Sequence, residues 1–270
     1  MAGLNQLKFT DLYLFDDEPM IKVDGGLKRL DQDFCDEALQ LREQILERYN
    51  TSGSEEFSIA HYDQRYRVEV YESVSGVEAT LRKIGSNVVT WNQLGFPKHF
   101  LPLLLYKSLE EKRNVARGGL IIIGGRPDSG KSTTSYSLIQ QIMQKEPWYG
   151  VTIEDPVEVI LPQSFESGAR IRQREVKSIN FDAALSVALR SNCDLIFVGE
   201  IRTQEGALLA LQAAQTGHLV ITTIHATNPQ ACLERFLSVS GKTQQNQLLL
   251  SQVIRGVLWQ SLEKSAGLSN

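Results

Sequence analysis

The sequence predicts an α/β protein that has a small N-terminal α/β unit and a larger, doubly wound C-terminal domain. After Gly118, apolar runs suited to buried parallel strands alternate with helix-like segments, which is typical of a doubly wound sheet. Before that point, strand-like segments surround one amphipathic helix. A glycine-rich loop, Gly125-Arg126-Pro127-Asp128-Ser129-Gly130-Lys131-Ser132, joins the first C-terminal strand to a helix.

The N-terminal unit is predicted from local periodicity. Residues 31–49 carry apolar side chains on one helical face, namely Phe34, Ala38, Leu41 and Ile45, and this spacing predicts an amphipathic helix. The other predicted elements are strands at 11–15, 20–23, 57–62, 65–72 and 78–84, a tight turn at 24–26 and a loop at 50–56.

We predict an N-terminal domain at residues 1–95, a linker or hinge at 96–117 and a C-terminal domain at 118–270. The linker contains a helix candidate at 97–112, because proline is favoured in the first turn of a helix. Its apolar run at 100–105 is predicted to be buried packing. In the C-terminal domain, strands are predicted at 120–123, 150–153, 194–198 and 219–223, and helices at 131–143, 181–189, 204–215 and, as one long helix, from about Gln244.

Composition and charge restrict the class of protein. The chain has 270 residues, 42% of them apolar and 22% charged, which is the balance of a globular protein with a substantial core. Its net charge of -4 argues against a broad nucleic-acid-binding surface. Cys35, Cys193 and Cys232 form no CxxC pair, so neither a zinc ribbon nor a disulfide framework is predicted, and a reducing compartment is expected.

No membrane span or signal peptide is predicted. Residues 1–12 are mixed and polar, and they lack the apolar core of a signal peptide. No apolar run approaches the ~20 residues that a membrane-spanning helix needs. Any association with a membrane is therefore expected to be peripheral.

The glycine-rich loop predicts a phosphate-binding site. It follows an apolar strand and precedes a helix, which is the context that the GxxxxGKS motif requires. Glycines let the backbone approach phosphate oxygens, and the helix N-terminus supplies positive potential. Lys131 is expected to reach the β- and γ-phosphates and Ser132 to bind Mg²⁺, so the predicted cofactors are ATP and Mg²⁺. The predicted nucleotide-binding residues are Gly125, Asp128, Ser129, Gly130, Lys131, Ser132 and Thr133.

Two acidic strand ends are candidates for the chemistry. Glu154 follows a predicted strand, at the sheet edge where ligands of α/β proteins bind, and is a candidate base for the attacking water. For that segment alone, a solvated acidic turn is an equal alternative. Glu200 ends an apolar strand as a Walker B carboxylate does, and is expected to contact Mg²⁺ through water because Gly199 holds the usual aspartate position.

Two histidines bracket another predicted strand. His218 and His225 are seven residues apart, so they cannot share one strand face, and a joint metal site is not expected. A hydrogen-bonded structural histidine is the ordinary reading of either. His225 is preferred as functional because it lies next to the expected γ-phosphate edge.

In combination, these motifs resemble the type II/IV secretion ATPase superfamily and, within it, the PilT-like pilus-retraction ATPases. The matching segments, in family order, are the phosphate loop at 125–132, an acidic segment at 152–158, the segment 188–202 and a histidine segment at 216–225. The strands at 11–14 and 20–25 resemble the start of the family's PAS-like domain. The resemblance implies a small PAS-like N-terminal α/β domain followed by a RecA-like P-loop ATPase core.

The resemblance also implies roles for the candidate residues. Glu154 would match the catalytic glutamate, Glu200 the Walker B glutamate and His225 the nucleotide-sensing histidine, with His218 in support. The implied assembly is a homohexameric ring. Its implied partner is the inner-membrane platform protein of a pilus or secretion machine, which would place the chain at the cytoplasmic face of the bacterial inner membrane.

Arg67 and Arg82 look like the family's N-domain arginines, which reach phosphate across a subunit interface. Without the resemblance, both would be interpreted as solvated charges at strand edges. A third arginine, expected before the phosphate loop, has no clear match in the sequence.

Several positions depart from the family pattern. Asp128 and Thr203 stand where the family usually has glycine and aspartate, and Asn192-Cys193 stands where it usually has Asp-Pro. The sequence stops at Asn270, before the further helical region that the family normally carries, so a short or truncated member is expected.

The leading functional hypothesis is an ATP-hydrolysing hexameric motor for type IV pilus retraction. Retraction is favoured over assembly because assembly ATPases usually carry a four-cysteine zinc insertion. The alternatives are a DotB-like motor for type IVB secretion or conjugation, a pilus-assembly ATPase, and a nucleotide-gated structural module with little turnover. A nucleic-acid translocase is disfavoured by the acidic charge balance.

Overall fold

The computed structural model describes residues 3–85, 88–97, 99–105 and 118–262. The chain divides into two compact units. The first comprises Met1–Ser86 together with Pro156–Ile160, and the second comprises Asn87–Asp155 together with Leu161–Asn270. The domain boundaries predicted at 95 and 117 stay predictions, and most of the predicted linker, residues 106–117, lies outside the described residues.

An antiparallel sheet forms the framework of the first unit. Its strands are β1 (Asp11–Leu14), β2 (Pro19–Val23), β3 (Gly26–Arg29), β4 (Glu56–His61), β5 (Gln64–Ser73) and β6 (Gly76–Ile84). Among the described residues their order is β3-β2-β1-β6-β5-β4. Asp24 and Gly25, with φ values of 50° and 80°, form the two-residue turn between β2 and β3, as a tight hairpin of this twist requires.

One long helix covers this sheet. Helix α1 (Gln32–Ser52) buries Ala38, Leu41 and Ile45, and Gly53 caps its C-terminus with a left-handed φ of 61°. The apolar spacing predicted this helix, and Phe34, the fourth apolar residue of that pattern, is partly buried and packs against the same core. The core beneath α1 is completed by buried residues of the sheet, including Leu12, Tyr66 and Leu81.

The second unit is built on a parallel sheet. Its strands are β7 (Gly119–Gly125), β8 (Tyr149–Glu154), β9 (Arg170–Glu175), β10 (Leu195–Glu200), β11 (Leu219–His225) and β12 (Ile254–Gln260). Within the described part of the chain, the order is β12-β7-β11-β10-β8-β9, and every neighbouring pair is parallel. The predicted doubly wound α/β fold is therefore confirmed, although β9 and β12 were not predicted.

Helices lie on both faces of the parallel sheet. They are α2 (Phe100–Leu105), α3 (Lys131–Lys145), α4 (Phe181–Leu189), α5 (Gln204–Gln215), α6 (Pro229–Val239) and α7 (Gln244–Val253). Side chains of α4 to α7 pack with Leu120 and Ile122 on one face. Helix α3 contacts β7 and β11. Its Tyr136 ring packs against Phe197 of β10. Because side chains alternate along a strand, Phe197 faces the other side of the sheet from its neighbours Ile196 and Val198, which belong to the cluster with Leu120.

The prediction of a long C-terminal helix is wrong. Helix α7 ends at Val253, and the chain continues as strand β12 beside β7. Residues 254–259 include β-branched and aromatic side chains that favour a strand, and Gly256 is a poor helix former. A Cβ at Gly256 would lie 2.6 Å from Cδ2 of Leu104, so a larger residue here would require the end of the Leu104 side chain to move.

The predicted helix at 97–112 is only partly described. Helix α2 begins at Phe100, three residues later than predicted, and Lys98 and residues 106–112 lie outside the described residues. Leu101, Leu104 and Leu105 of α2 are buried, as the apolar run predicted. None of the helices in the described ranges is long and apolar enough to cross a lipid bilayer.

Candidate nucleotide site

The phosphate loop connects β7 to α3 in the conformation that its sequence predicts. Gly130 caps the helix with a left-handed φ of 83°, and α3 begins at Lys131. The amide of Thr134 donates to the carbonyl of Gly130 at 3.0 Å, which forms the first turn of the helix. No acidic residue lies in that first turn, so the positive end of the helix is left for an anion.

Asp128 occupies a position that demands an unusual backbone conformation. Its φ is 57°, in the left-handed region that glycine adopts freely and aspartate more readily than most other residues. Its side chain is exposed. The carboxylate therefore lies in solvent while the backbone follows the loop, which is a physical account of how aspartate replaces the usual glycine.

The side chains of Lys131 in the loop and His225 at the end of β11 contact each other. Nζ of Lys131 donates to the carbonyl of Arg126 at 2.8 Å and lies 3.4 Å from Nδ1 of His225. The parallel register pairs His225 at the end of β11 with Gly125 at the end of β7, which explains the contact. His225 thus lies beside the phosphate loop, where the sequence placed it.

Gln260 is a neighbour of the loop that the sequence did not reveal. Strand β12 pairs Gln260 with Gly125, and Nε2 of Gln260 donates to the carbonyl of Ser129 at 2.5 Å. A Cβ at Gly125 would lie 2.3 Å from Oγ of Ser129, so this first glycine of the motif is required sterically. Because the sequence predicts one helix from residue 244 onward, it does not predict that Gln260 lies beside the phosphate loop.

Glu154 ends β8 as a buried carboxylate, with 2% of the residue exposed. Its Oε2 accepts a hydrogen bond from the Tyr136 hydroxyl. Its Oε1 accepts from the Thr152 hydroxyl and, at 3.2 Å, from Nε2 of Gln173 on β9. A buried carboxylate requires such donors, and they hold it in one orientation, which a solvated acidic turn would not have.

Glu200 ends β10, next to a bulge at Gly199. Its Oε2 accepts from Nε of Arg202 at 2.9 Å, and the side chain is 18% exposed. The hydroxyl of Thr223 on β11 donates to the carbonyl of Gly199 at 2.5 Å, which holds the bulge against its neighbouring strand.

Two departures from the family pattern have local structural explanations. Thr203 caps α5 by accepting from the amide of Gly206 at 3.0 Å, and its hydroxyl donates to Asp182 at 2.8 Å. An aspartate here would face the carboxylate of Asp182. Asn192, with a φ of 52°, follows α4 in the left-handed conformation common after helices. Burial raises the pKa of the adjacent Cys193 thiol, which indicates a packing residue and not a nucleophile.

The fold brings four predicted site positions to one edge of the sheet. Gly125, Glu154, Glu200 and His225 end β7, β8, β10 and β11, and parallel strands end at the same edge. His218 lies at the other end of β11, with Nδ1 3.2 Å from the carbonyl of Ala213. A seven-residue strand spans roughly 20 Å. Within one chain the structure does not bring His218 to the phosphate loop, and its supporting role stays a prediction.

Ser132 and Glu200 are chemically suited to Mg²⁺. Ser132 lies in the first turn of α3, and Glu200 ends β10 at the loop's edge of the sheet. A hydroxyl and a carboxylate are oxygen ligands, the type that Mg²⁺ prefers. The donor set therefore fits the predicted metal, with nucleotide phosphates and water as the remaining ligands.

Arg67 and Arg82 are cross-strand neighbours in the first unit, on β5 and β6. Nε of Arg82 donates to Asp11 at 2.8 Å, and this hydrogen bond raises the pKa of Arg82. Arg67 lies 3.5 Å from Glu69 and 3.8 Å from Glu56. Two adjacent positive charges are thus held by three carboxylates, and the Arg82 side chain is 69% exposed.

The strand–loop–helix phosphate site and the two carboxylates at its edge define a P-loop nucleotide-binding protein with a RecA-like core. The chain belongs to the type II/IV secretion system protein family, whose model matches residues 39–268. The resemblance drawn from the motifs is confirmed.

Two named bacterial proteins are similar to the chain over most of its length. It is 31% identical to a twitching motility protein of Neisseria gonorrhoeae, over 92% of this chain and 66% of that protein. It is also 31% identical to the type IV pilus retraction ATPase PilT of Pseudomonas aeruginosa, over 92% of this chain and 72% of PilT. The chain therefore spans about two thirds of the length of these relatives.

Solved structures agree with the fold. The crystal structure of the pilus retraction motor PilT with bound ADP matches 97% of this chain and 77% of PilT at a TM-score of 0.81 and 30% identity. The ATPase DotB of Legionella pneumophila matches 97% of this chain and 74% of DotB at a TM-score of 0.76 and 23% identity, and it supports the fold alone.

Proposed function

We propose that the chain is an ATP-hydrolysing motor, active as a homohexameric ring, that powers type IV pilus retraction. The observation that carries the proposal is the shared sheet edge, where the phosphate loop, Glu154, Glu200 and His225 meet in a chain of this family. The similarity to PilT and to a twitching motility protein favours retraction over the other tasks of the family.

The proposed chemistry follows from the side chains. The loop amides, the α3 N-terminus and Lys131 hold the phosphates. Glu154 accepts a proton from the water whose oxygen attacks the γ-phosphorus, and the bond from that phosphorus to the β–γ bridging oxygen breaks, which releases ADP and phosphate. Ser132 and Glu200 would hold Mg²⁺, which neutralises charge on the phosphates.

In the assembled ring we further propose that Arg67 and Arg82 approach the phosphates bound by a neighbouring subunit. The force would be passed to a membrane-embedded platform protein at the cytoplasmic face of the inner membrane. His225, in contact with Lys131, would report whether phosphate is bound, because a phosphate group competes for the same ammonium.

Measurement of Mg²⁺-dependent ATP hydrolysis by the purified chain tests the enzymatic part. Lys131→Ala and Glu154→Gln are each expected to lower kcat by at least about 100-fold, the range that a phosphate-site charge or a general base contributes. The matched controls are Lys145→Ala, at the exposed end of α3, and Glu166→Gln, an exposed glutamate. Both controls should retain wild-type activity, and a wild type without hydrolysis would refute the proposal.

Imaging of pili in cells that lack the gene tests the direction of force. Loss of a retraction motor leaves assembly unopposed, so excess pili are expected, and restored expression of the wild type should return their number to normal. Expression of the Lys131→Ala variant should leave the excess. Absent pili would instead identify an assembly motor, and unchanged pili would point to a secretion system.

A further inference from the structure

Tyr136 links three parts of the nucleotide site. It lies on α3, five residues after Lys131, with 2% of the residue exposed. Its hydroxyl donates to Oε2 of Glu154. Its ring lies edge-on to that of Phe197 on β10, three residues before Glu200, with 6.0 Å between the ring centroids and an interplanar angle of 60°.

These contacts matter because Glu154 and the phosphate loop come from different elements. A general base acts only within hydrogen-bond reach of the attacking water, and that water must be aligned with the γ-phosphate. Thr152 and Gln173 hold Oε1 of Glu154, but they belong to β8 and β9. The Tyr136 hydroxyl reaches Oε2 from the helix whose first turn belongs to the phosphate loop.

We propose that Tyr136 is a positioning residue that ties the carboxylate of Glu154 to the phosphate-loop helix and so sets the base relative to the bound nucleotide. The inference rests on the proposed ATPase function. It assigns to Tyr136 an effect on turnover and none on nucleotide binding, because the hydroxyl acts on the carboxylate and not on the loop. If Tyr136 served only in packing, removal of its hydroxyl would leave kcat unchanged, because the ring would still pack against Phe197.

The Tyr136→Phe variant separates these two roles because it keeps the ring and its packing against Phe197 while removing the donor. The kcat for Mg²⁺-dependent ATP hydrolysis should fall at least about tenfold, a part of the 10²–10⁴-fold that a general base contributes. The dissociation constant of a non-hydrolysable ATP analogue should stay within about twofold of the wild-type value.

The matched control is Ser137→Ala, on the same helix. The buried hydroxyl of Ser137 has no hydrogen-bond partner among the residues that the structure describes, so its loss removes a neighbouring hydroxyl without touching Glu154. This variant should keep kcat within about twofold of wild type.

A double-mutant cycle of unfolding free energies tests the hydrogen bond between Tyr136 and Glu154 without relying on activity. The unfolding free energies of Tyr136→Phe, Glu154→Gln and the double variant should be non-additive, as for groups that interact directly. Additive effects, an unchanged kcat in Tyr136→Phe, or a joint loss of kcat and analogue binding would each overturn the proposal. If Tyr136→Phe keeps wild-type kcat while Glu154→Gln is inactive, the positioning role fails and the ATPase function stands. A wild type without hydrolysis overturns both.

Discussion

Asp128 adopts the left-handed backbone conformation that the phosphate loop requires, while its negative charge repels the phosphates that the loop would bind. Its φ of 57° is the conformation that the usual glycine supplies without strain, and its carboxylate is directed to solvent. Exposure weakens the repulsion between this carboxylate and a bound phosphate but does not remove it, since the two charges share one short loop. The effect on binding is therefore expected to be modest.

Asp128→Gly is expected to tighten ATP binding by up to about fivefold, since the interaction between two solvent-exposed charges is worth about 0.2–1 kcal/mol. Titration calorimetry with a non-hydrolysable analogue and Mg²⁺ measures the change. Asp128→Asn is the matched control, because it removes the charge and keeps a side chain that tolerates a left-handed φ. An equal gain in both variants assigns the effect to charge, and unchanged affinity in both contradicts the prediction.

Strand β12 gives the phosphate loop a support on the side away from β11. In the loop, the carbonyl of Ser129 accepts a hydrogen bond from Nε2 of Gln260 at 2.5 Å. The strand reaches this position because α7 ends at Val253 and β12 then runs parallel to β7 in the register that pairs Gln260 with Gly125. An element at the sheet edge thereby fixes the shape of the central loop.

Gln260→Ala should weaken binding of a non-hydrolysable ATP analogue about fivefold, because the loss of one hydrogen bond costs about 1 kcal/mol and frees the Ser129 carbonyl. Fluorescence titration with a labelled nucleotide measures the affinity. Ser261→Ala, at the next and exposed position, is the control and should bind like wild type. Equal affinities for Gln260→Ala and wild type would show that the loop keeps its shape without this bond.

At the level of the whole chain, the features that the sequence predicted depend on residues close together along the chain. The features that it missed depend mostly on contacts between distant residues. The bounds of α4 and α5 match the prediction. The start of α5 is encoded locally, because the Thr203 side chain accepts a hydrogen bond from the amide of Gly206, only three residues later. Helix α6 was missed although Asn228-Pro229 is a comparable start signal. The contact of Gln260 with Ser129 joins residues 131 positions apart, and no local pattern encodes such a pairing.

The same reasoning applies to the candidate site. The sequence located the loop, Glu154, Glu200 and His225, since each ends a strand of one parallel sheet and strand ends can be predicted from apolar runs. It did not reveal that Tyr136 and Gln173 hold Glu154, because both partners depend on how α3 and β9 pack against β8.

If the chain works as a ring in which Arg67 and Arg82 serve the neighbouring subunit, two inactive variants should complement each other. Glu154→Gln subunits retain both arginines, and Arg67→Ala/Arg82→Ala subunits retain Glu154, so mixed rings contain some sites with both parts. Mixing the two should restore ATP hydrolysis, whereas mixing Glu154→Gln with Lys131→Ala should not, because each of those lesions lies in its own subunit's loop-side site. Recovery in the first mixture alone would locate the arginines in the neighbour's site. Without recovery in either mixture, the two arginines remain a surface pair held by Asp11, Glu56 and Glu69, as their contacts within one chain already permit.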